Sequence, residues 1–475
     1  MEVLITNGYY KSKSLPLAYQ QCVNWYPSVS QTRGALSQEN LFGTPGITLL
    51  TTSGTVQQAN RGSLVKDGIP YAVNGDKLYS LVKTVVSGED VFTMTALGTI
   101  SGSGRVSMAS NGTQLMILVP GGKGYVYNEA AGTPFAEITD SDFTANGAPQ
   151  YVVFIDGYFA CTTDSKKWIV SDLNNALSWN ALDFGTAESN PDSVVAPIIN
   201  NNQAYITGTE TTEGFQNVGG SGFSFTRTGV FLQKGCKSPF ALIISNKTFF
   251  MIGAGKDEGP AIWVFDGNDF QRVSTIAIEK QLGTYTVAEL QAAFALSYSE
   301  DGAYFVAFTF SDTTFVYDQT SKRWHERNST ISDVQSPWRV NSLVTAYGRI
   351  IVFDSVDGRV GELSTSVYTE YGETIIRIVT PQVLANGGKE VSFGCAELTM
   401  ESGVGNSDCE DPVVGQAISR DGRTFGNERL RKIGKIGEYN KRQIWHKNGS
   451  ASRYMILRYR LSDPVKPVII KLEIN

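Results

Sequence analysis

One pattern limits what this chain can fold into: a unit of short apolar strands and tight turns that returns about every 45 residues. Twelve Asp-Gly or Asn-Gly pairs are spread along the sequence, and such pairs between alternating apolar residues are the strongest short-range signal for a β-hairpin. Many sit at one place in the unit, just after its first strand. The first strands and their turns read SLVKDG from Ser63, RVSMASNG from Arg105, YVVFIDG from Tyr151, SVVAPIINNN from Ser193, FALIISNK from Phe240, FALSYSEDG from Phe294 and SLVTAYG from Ser342. The strands that follow begin near Ile69, Gln114, Tyr158, Gln203, Lys247, Ala303 and Arg349, at intervals of 45, 44, 45, 44, 56 and 46 residues. Third strands often close on an aromatic or aliphatic residue and then Asp or Asn, as in YVYN to Asn128 and FVYD to Asp318.

A four-stranded unit has two apolar faces and must stack on its neighbours, and closing the stack into a ring leaves only short, protected edges. Seven units therefore predict a seven-bladed β-propeller over residues 61–365. A row of unrelated β-sandwiches would also turn every few residues, but the even intervals favour the propeller. The long fifth interval holds TVAELQAAFA from Thr286, where Thr286 and Glu289 form a capping-box pattern, so a local helix is expected there. Past Leu363 the strand candidates lengthen, as in ETIIRIVTPQ from Glu373 and YMILRYRL from Tyr454, and residues 366–475 read as a separate, basic β-sandwich-like domain. Residues 1–60 precede the repeat. They either close the propeller, with ITLLTT from Ile47 as the outer strand that the last blade lacks, or join the C-terminal domain. With 48 Gly, 24 Phe and 21 Tyr serving turns and pleated surfaces, the expected class is all-β.

Chemistry is hard to find. There are two histidines, His325 and His446, neither in a metal-ligand spacing, and KRWHERN around His325 reads as an exposed loop. The five cysteines are scattered and read as buried free thiols in a reducing cytosol. GSGRVS from Gly102 lacks the last glycine and the helix of a dinucleotide loop, and IGAGKDEG around Lys256 has Asp257 where a Ser or Thr should bind magnesium, so both read as turns. SRDGRTF from Ser419 approaches the turn found in sialidase propellers but lacks one residue and its tryptophan. No catalytic, cofactor or metal residue is assigned. MEVLITNGYYKSKS has no long apolar run, so no secretory signal is expected, and no stretch is long enough to cross a bilayer.

Charge is divided. Residues 419–471 hold 14 Lys/Arg against 4 Asp/Glu, a balance of +10, leaving −16 on the rest of a chain whose net charge is −6. Arg429, Arg431, Lys432, Lys441 and Arg442, with neighbouring Trp445, are the candidates for contacting a connector protein or DNA, because basic residues beside an aromatic suit backbone and base contacts.

Several segments resemble packaged-DNA stabilization proteins, the tail hub or nozzle proteins of short-tailed phages. They include FGTPGITLL (Phe42 to Leu50), GSGRVSMA, IVSDLNNALSW with AESNPD (Ala187 to Asp192), LQKGCKSPFA (Leu232 to Ala241), MESGVG (Met400 to Gly405), SRDGRTFG and YNKRQIW (Tyr439 to Trp445). Their shared order spans about 400 residues. The resemblance implies a virion tail protein assembled in the host cytoplasm. It implies a homo-oligomeric ring, six copies in related tails, below the portal-adaptor or connector protein. There it closes the channel with a needle or plug, retains packaged DNA, passes double-stranded DNA without sequence specificity at ejection, and docks tailspikes or fibres. No enzymatic activity is expected. The alternatives are a propeller glycosidase and a free-standing protein-binding propeller.

Overall fold

The computed structural model describes residues 1–475 except 31, 33, 55–57, 188, 189, 191 and 221; part of the AESNPD segment thus lies outside the described residues. Seven four-stranded antiparallel sheets follow one another along the chain. Their innermost strands include Asn60–Lys66 in blade 1, Ser107–Ser110 in blade 2, Pro149–Ile155 in blade 3 and Val194–Asn200 in blade 4. Gly235–Cys236 with Ile243–Ser245 serve blade 5, Phe294–Glu300 blade 6 and Val340–Ala346 blade 7. The predicted propeller is present, with second strands starting within one residue of the expected positions.

The turn chemistry explains the regularity. Between first and second strands the pairs Asp67–Gly68, Asp156–Gly157, Asn201–Asn202, Asn246–Lys247, Asp301–Gly302 and Tyr347–Gly348 all have φ between +48° and +90°. Two successive left-handed residues make the hairpin turn whose twist matches that of the strands, hence the Asp, Asn and Gly. Seven buried clusters then fill the seven seams between blades. For example, Tyr71, Val73, Leu115 and Ile117 pack blade 1 on blade 2, and Ala72, Phe92, Ile351 and Phe353 pack blade 7 on blade 1.

The outermost strand of blade 7 comes from the other end of the propeller sequence: Gly46–Thr52 pairs antiparallel with Arg359–Ser364. The described strands that precede it belong to the sandwich sheets, while Tyr9 packs into the seam between blades 5 and 6. One sandwich sheet runs Trp25–Val29, Glu39–Gly43, Val468–Ile474, Cys395–Met400, Gln443–His446, with Glu2–Val3 added to Val468–Ile474. The other runs Tyr19–Val23, Arg377–Thr380, Tyr454–Leu461, Val413–Ser419, Arg429–Lys432. A core containing Trp25, Leu41, Leu398, Trp445, Leu457 and Leu472 lies between them.

The second sandwich sheet continues into the propeller. Val23 pairs in parallel with Glu326 on the outer strand of blade 6, so one hydrogen-bonded path leads from the propeller axis to the far edge of the sandwich. Asn24 bolts the crossing: its amide donates to Asn328 O at 2.9 Å and Ile376 O at 2.8 Å, and its Oδ1 accepts from Asn328 N at 3.0 Å. This corrects the reading of His325. It is fully buried in Arg323–Glu326 beside Tyr26 and Phe305, because the strand that looked like a polar loop is enclosed where the two domains join.

The fifth interval carries two helices, Ile276–Leu282 and Val287–Ala292. The second has the predicted capping box between Thr286 and Glu289. The first, capped by Thr275, carried no comparable signal.

Candidate functional site

The two glycine-rich loops and the sialidase-like turn are structural, as read from the sequence. In GSGRVS, Gly104 O accepts from Arg61 Nε at 2.6 Å and Ser101 O from Arg61 Nη2 at 2.9 Å, latching blade 1 to blade 2. A strand follows the loop, so no helix N-terminus faces a ligand. In IGAGKDEG, Gly255 N donates to Glu258 Oε2 at 3.0 Å, and Glu258 pairs with Lys234 at 2.6 Å. In SRDGRTF, Asp421 accepts from the Thr424 hydroxyl at 2.6 Å and from the backbone N–H groups of Thr424 and Arg423, both at 2.8 Å, which together hold its carboxyl well below the usual range. Each is a closed turn.

The titratable groups agree. Burial with the Arg327 charge pulls His325 down to about 3, so the ring is neutral. Burial pushes the Cys236 thiol up to about 12. Cys22, Cys161 and Cys236 are buried as expected, while Cys395 and Cys409 are half-buried, and all five are free. Among the described residues no group of three or more His, Cys, Asp or Glu could hold a metal ion. No described helix is long and apolar enough to cross a membrane.

One carboxyl stands apart. Glu300 ends the inner strand of blade 6, beside a cleft of about 710 Å³ lined by Tyr26, Phe42 and Ala303 at the sandwich junction. Its Oε2 is enclosed with no hydrogen-bond partner, and burial pushes its pKa up to about 7. A carboxyl raised above its unfolded value of about 4.3 stabilises the fold fully below that value and loses the contribution as pH rises through about 7. Glu300→Gln, which cannot ionise, should stabilise the protein at pH 8 by roughly 2–3 kcal/mol and change little at pH 4. Thermal melts across that range decide it; parallel wild-type and variant curves would refute the assignment.

Of the candidate basic residues, Arg429, Arg431 and Lys432 lie on one edge strand and Lys441 and Arg442 just before another, Gln443–His446, and the structure corrects the reading of Trp445. Trp445 is fully buried, stacks edge-on against Tyr459 and donates its Nε1 to Arg429 O at 2.6 Å. It is a core residue, because alternation along Gln443–His446 turns it inward. Lys432 pairs with Asp411, Lys441 with Glu438 at 3.7 Å, and Arg442 with both oxygens of Glu397 at 2.7 and 2.5 Å. Arg429 donates to the carbonyls of His446 and Lys447 and to Gln416 and Asn448, and Arg431 to Ile444 O at 2.7 Å. Residues 376–475 as a whole hold 16 Lys/Arg against 11 Asp/Glu, a balance of +5, with −11 on residues 1–375. Desolvation lowers the pKa of Arg429, and the nearby charges of Arg431 and Arg420 lower it further.

At the propeller axis, sequence reasoning missed Arg105. It projects from blade 2, donates to Asn341 O on blade 7 at 3.0 Å, and lies 4.0 Å over the Phe294 ring and 5.3 Å over that of Phe240. Tyr151 meets Phe240 edge-on at 5.0 Å. Side chains from blades 2, 3, 5, 6 and 7 thus cross the axis at one end. A cavity of about 650 Å³ lined by Met108, Phe154, Ile199 and Ile244 occupies the rest. No single strand signals this plug, which exists only once the ring is closed.

Two models of one family match nearly the whole chain: Bacteriophage P22 Gp10, beta-propeller, over residues 1–368, and Bacteriophage P22 Gp10, beta-sandwich, over residues 376–475. The chain belongs to the P22 Gp10 family. It is a tail hub protein of the short-tailed phage kind, a structural component of the virion tail. A curated relative is the tail hub protein gp10 of Salmonella phage P22, 23% identical over 436 residues that cover 88% of this chain and 87% of that protein. Among solved structures, the WD40 β-propeller domain of Doa1 is similar at a TM-score of 0.40 and 14% identity, covering 66% of this chain and 97% of that one. The N-terminal domain of Nup159 is similar at a TM-score of 0.40 and 11% identity, covering 72% and 98%. The family matched is one of tail structure, and the P22 Gp10 match spans both domains on which the candidate surfaces lie.

Proposed function

We propose that several copies of this chain, six as in the related tails, form a ring below the connector that closes the tail channel after packaging and later conducts the DNA out. The observation that carries this reading is family membership over both domains combined with a blocked propeller axis. A cavity of about 650 Å³ ending on Arg105 and Phe240 cannot pass a duplex, whose major groove alone is about 12 Å wide. A conduit must therefore lie between copies.

The charge balance supports a sliding channel. An acidic wall repels phosphate and lets the duplex move, the opposite of a basic groove that grips it. We assign the lumen to the propeller, at −11 with the N-terminal segment, and the connector contact to the sandwich, at +5. Direct DNA binding by the sandwich is the weaker reading, because Lys432, Lys441 and Arg442 already face carboxylates. Arg429 and Arg431, with Arg420, remain for an acidic patch on the connector. Spikes or fibres and a needle or plug complete the expected partners.

The test is a phage lacking this gene product, with DNA retained in filled heads followed after packaging. Heads that fill and then lose their DNA support closure. Heads that keep their DNA while particles fail to attach would end the closure reading and leave spike docking.

A further inference from the structure

We propose that copies join through a knob and a hole carried by every chain: the overhanging hairpin of blade 1 seats in the apolar cleft that the helical insertion forms on blades 4 and 5 of the next copy. This rests on the ring reading above and gives that ring its contact.

The knob is the hairpin Lys77–Val86 with Glu89–Thr99. The second strand of blade 1 pairs only with Lys77 to Ser80, so the ribbon runs on past its sheet for about six residues, or roughly 20 Å. One face is already used: Phe92 packs into the blade 7 seam, Tyr347 Oη donates to Leu81 O at 2.8 Å, and Arg349 pairs with Asp90 at 2.7 Å. The register places Val82, Thr84 and Val86 on the other face, opposite Thr93, Val91 and Glu89. All six are exposed, Val86 at 56%, and Val85 beside it at the tip is 66% exposed. A projecting ribbon with a β-branched, nearly uncharged face is a template for pairing, and a two-stranded ribbon is marginal until something covers it.

The hole is a cleft of about 330 Å³ lined by Val195, Cys236, Pro239, Pro260, Val287 and Leu290. Its rim lysine is occupied, since Lys237 Nζ donates to Thr209 O at 2.8 Å. What remains for an occupant is mostly apolar wall beside Thr209 and Gln291, with Val287 72% exposed at the start of its helix. The chemistry asked for is a small apolar side chain, which the hairpin tip supplies.

No chain can fill its own cleft. In a ring of seven, blade 1 stands opposite blades 4 and 5. The hairpin tip also lies on the face carrying the first turn of each blade, whereas Thr209 and Pro260, between second and third strands, lie on the other. A contact between different patches of identical chains repeats head to tail, and closes into a ring where the rotation allows.

The experiment uses full-length chains in the background Cys236→Ala, Cys395→Ser, Cys409→Ser, which removes the two half-buried thiols and the one that lines the cleft. Val86→Cys and Val287→Cys are made singly, mixed, assembled into tails and oxidised. A disulfide-linked dimer should form in the mixture and not within either single variant. Independently, Val86→Asp should weaken assembly at least tenfold with an unchanged melting temperature, and Val287→Lys should restore it in the pair. If tails contain several copies but neither cross-link nor charge effect appears, the knob-and-hole contact is wrong while the ring stands. If tails contain one copy, both fail.

Discussion

Ile47→Asp is expected to open the propeller, at a cost of at least about 4 kcal/mol, whereas Thr48→Asp next to it, exposed but opposite Glu362, should cost no more than about 1 kcal/mol. Ile47 is buried in the seam between blades 6 and 7 and lies on the strand that completes blade 7. Its carbonyl accepts from Tyr371 N at 2.8 Å. Diagonally across from it, Gly361 is needed for space, since a Cβ there would stand 2.4 Å from Ile47 Cγ2. Thr48 is exposed, so its substitution tests for any general effect of charge on the strand. The penalty arises because a carboxylate in an apolar seam has no partner, and because Gly46–Thr52 is tied to the sandwich through the preceding strands. Losing it frees the edge of blade 7 and loosens the join between domains together. The readouts are the thermal midpoint, expected to fall by about 10 °C or more, and limited proteolysis, expected to cut between blade 7 and the sandwich. An Ile47→Asp protein that melts with the wild type would mean that closure rests on the seams alone.

This strand shows how unevenly the fold can be read from sequence. The blades were legible because each contains a local necessity, a two-residue turn with both φ positive, and Asp-Gly or Asn-Asn meets that need without help from the rest of the chain. The helix at Val287–Ala292 was legible for the same reason, through Thr286 and Glu289. Features that depend on distant partners were not. A contiguous count over residues 419–471 gives +10, but Asp411 and Glu397, which neutralise Lys432 and Arg442, lie outside that window and arrive by strand pairing. Trp445 was misread beside its basic neighbours although period two placed it inward. His325 was misread because KRWHERN is polar in composition, yet its strand joins the propeller sheet to the sandwich. Arg105 looked like a turn residue, and only the assembled ring shows it crossing the axis.

The second large effect is expected at the join itself, where Asp354→Asn should cost about 3–5 kcal/mol. Arg339 and Asp354 are both fully enclosed and pair at 2.5 Å, and Arg339 also reaches Glu373 at 2.9 Å, just before the chain enters the sandwich at Arg377. Taking two charges out of water is expensive, and their attraction offsets the cost only while both are present. Asparagine keeps an acceptor for Val356 N, which Asp354 Oδ1 now binds at 2.7 Å, but sets an N–H donor where Oδ2 accepts from Arg339 Nε, so the substitution removes the charge together with that hydrogen bond. Adding Arg339→Met should return most of the lost stability, because the stranded guanidinium is then gone. If the double variant were no more stable than Asp354→Asn, the loss would come from broken packing and not from an unpaired charge. Recovery of stability without recovery of DNA retention would carry a further meaning. The pair would then serve chiefly to fix the angle between propeller and sandwich, since Arg339 links blade 7 to the segment leading into Arg377–Thr380. Nearby Arg327, lying 3.7 Å over Trp338 and donating to Pro45 O at 2.8 Å, holds the returning N-terminal segment at the same crossing. Polar groups enclosed at a domain junction cost stability and restrict orientation, and a subunit that must present one surface to a connector and another to a lumen requires that orientation to be fixed.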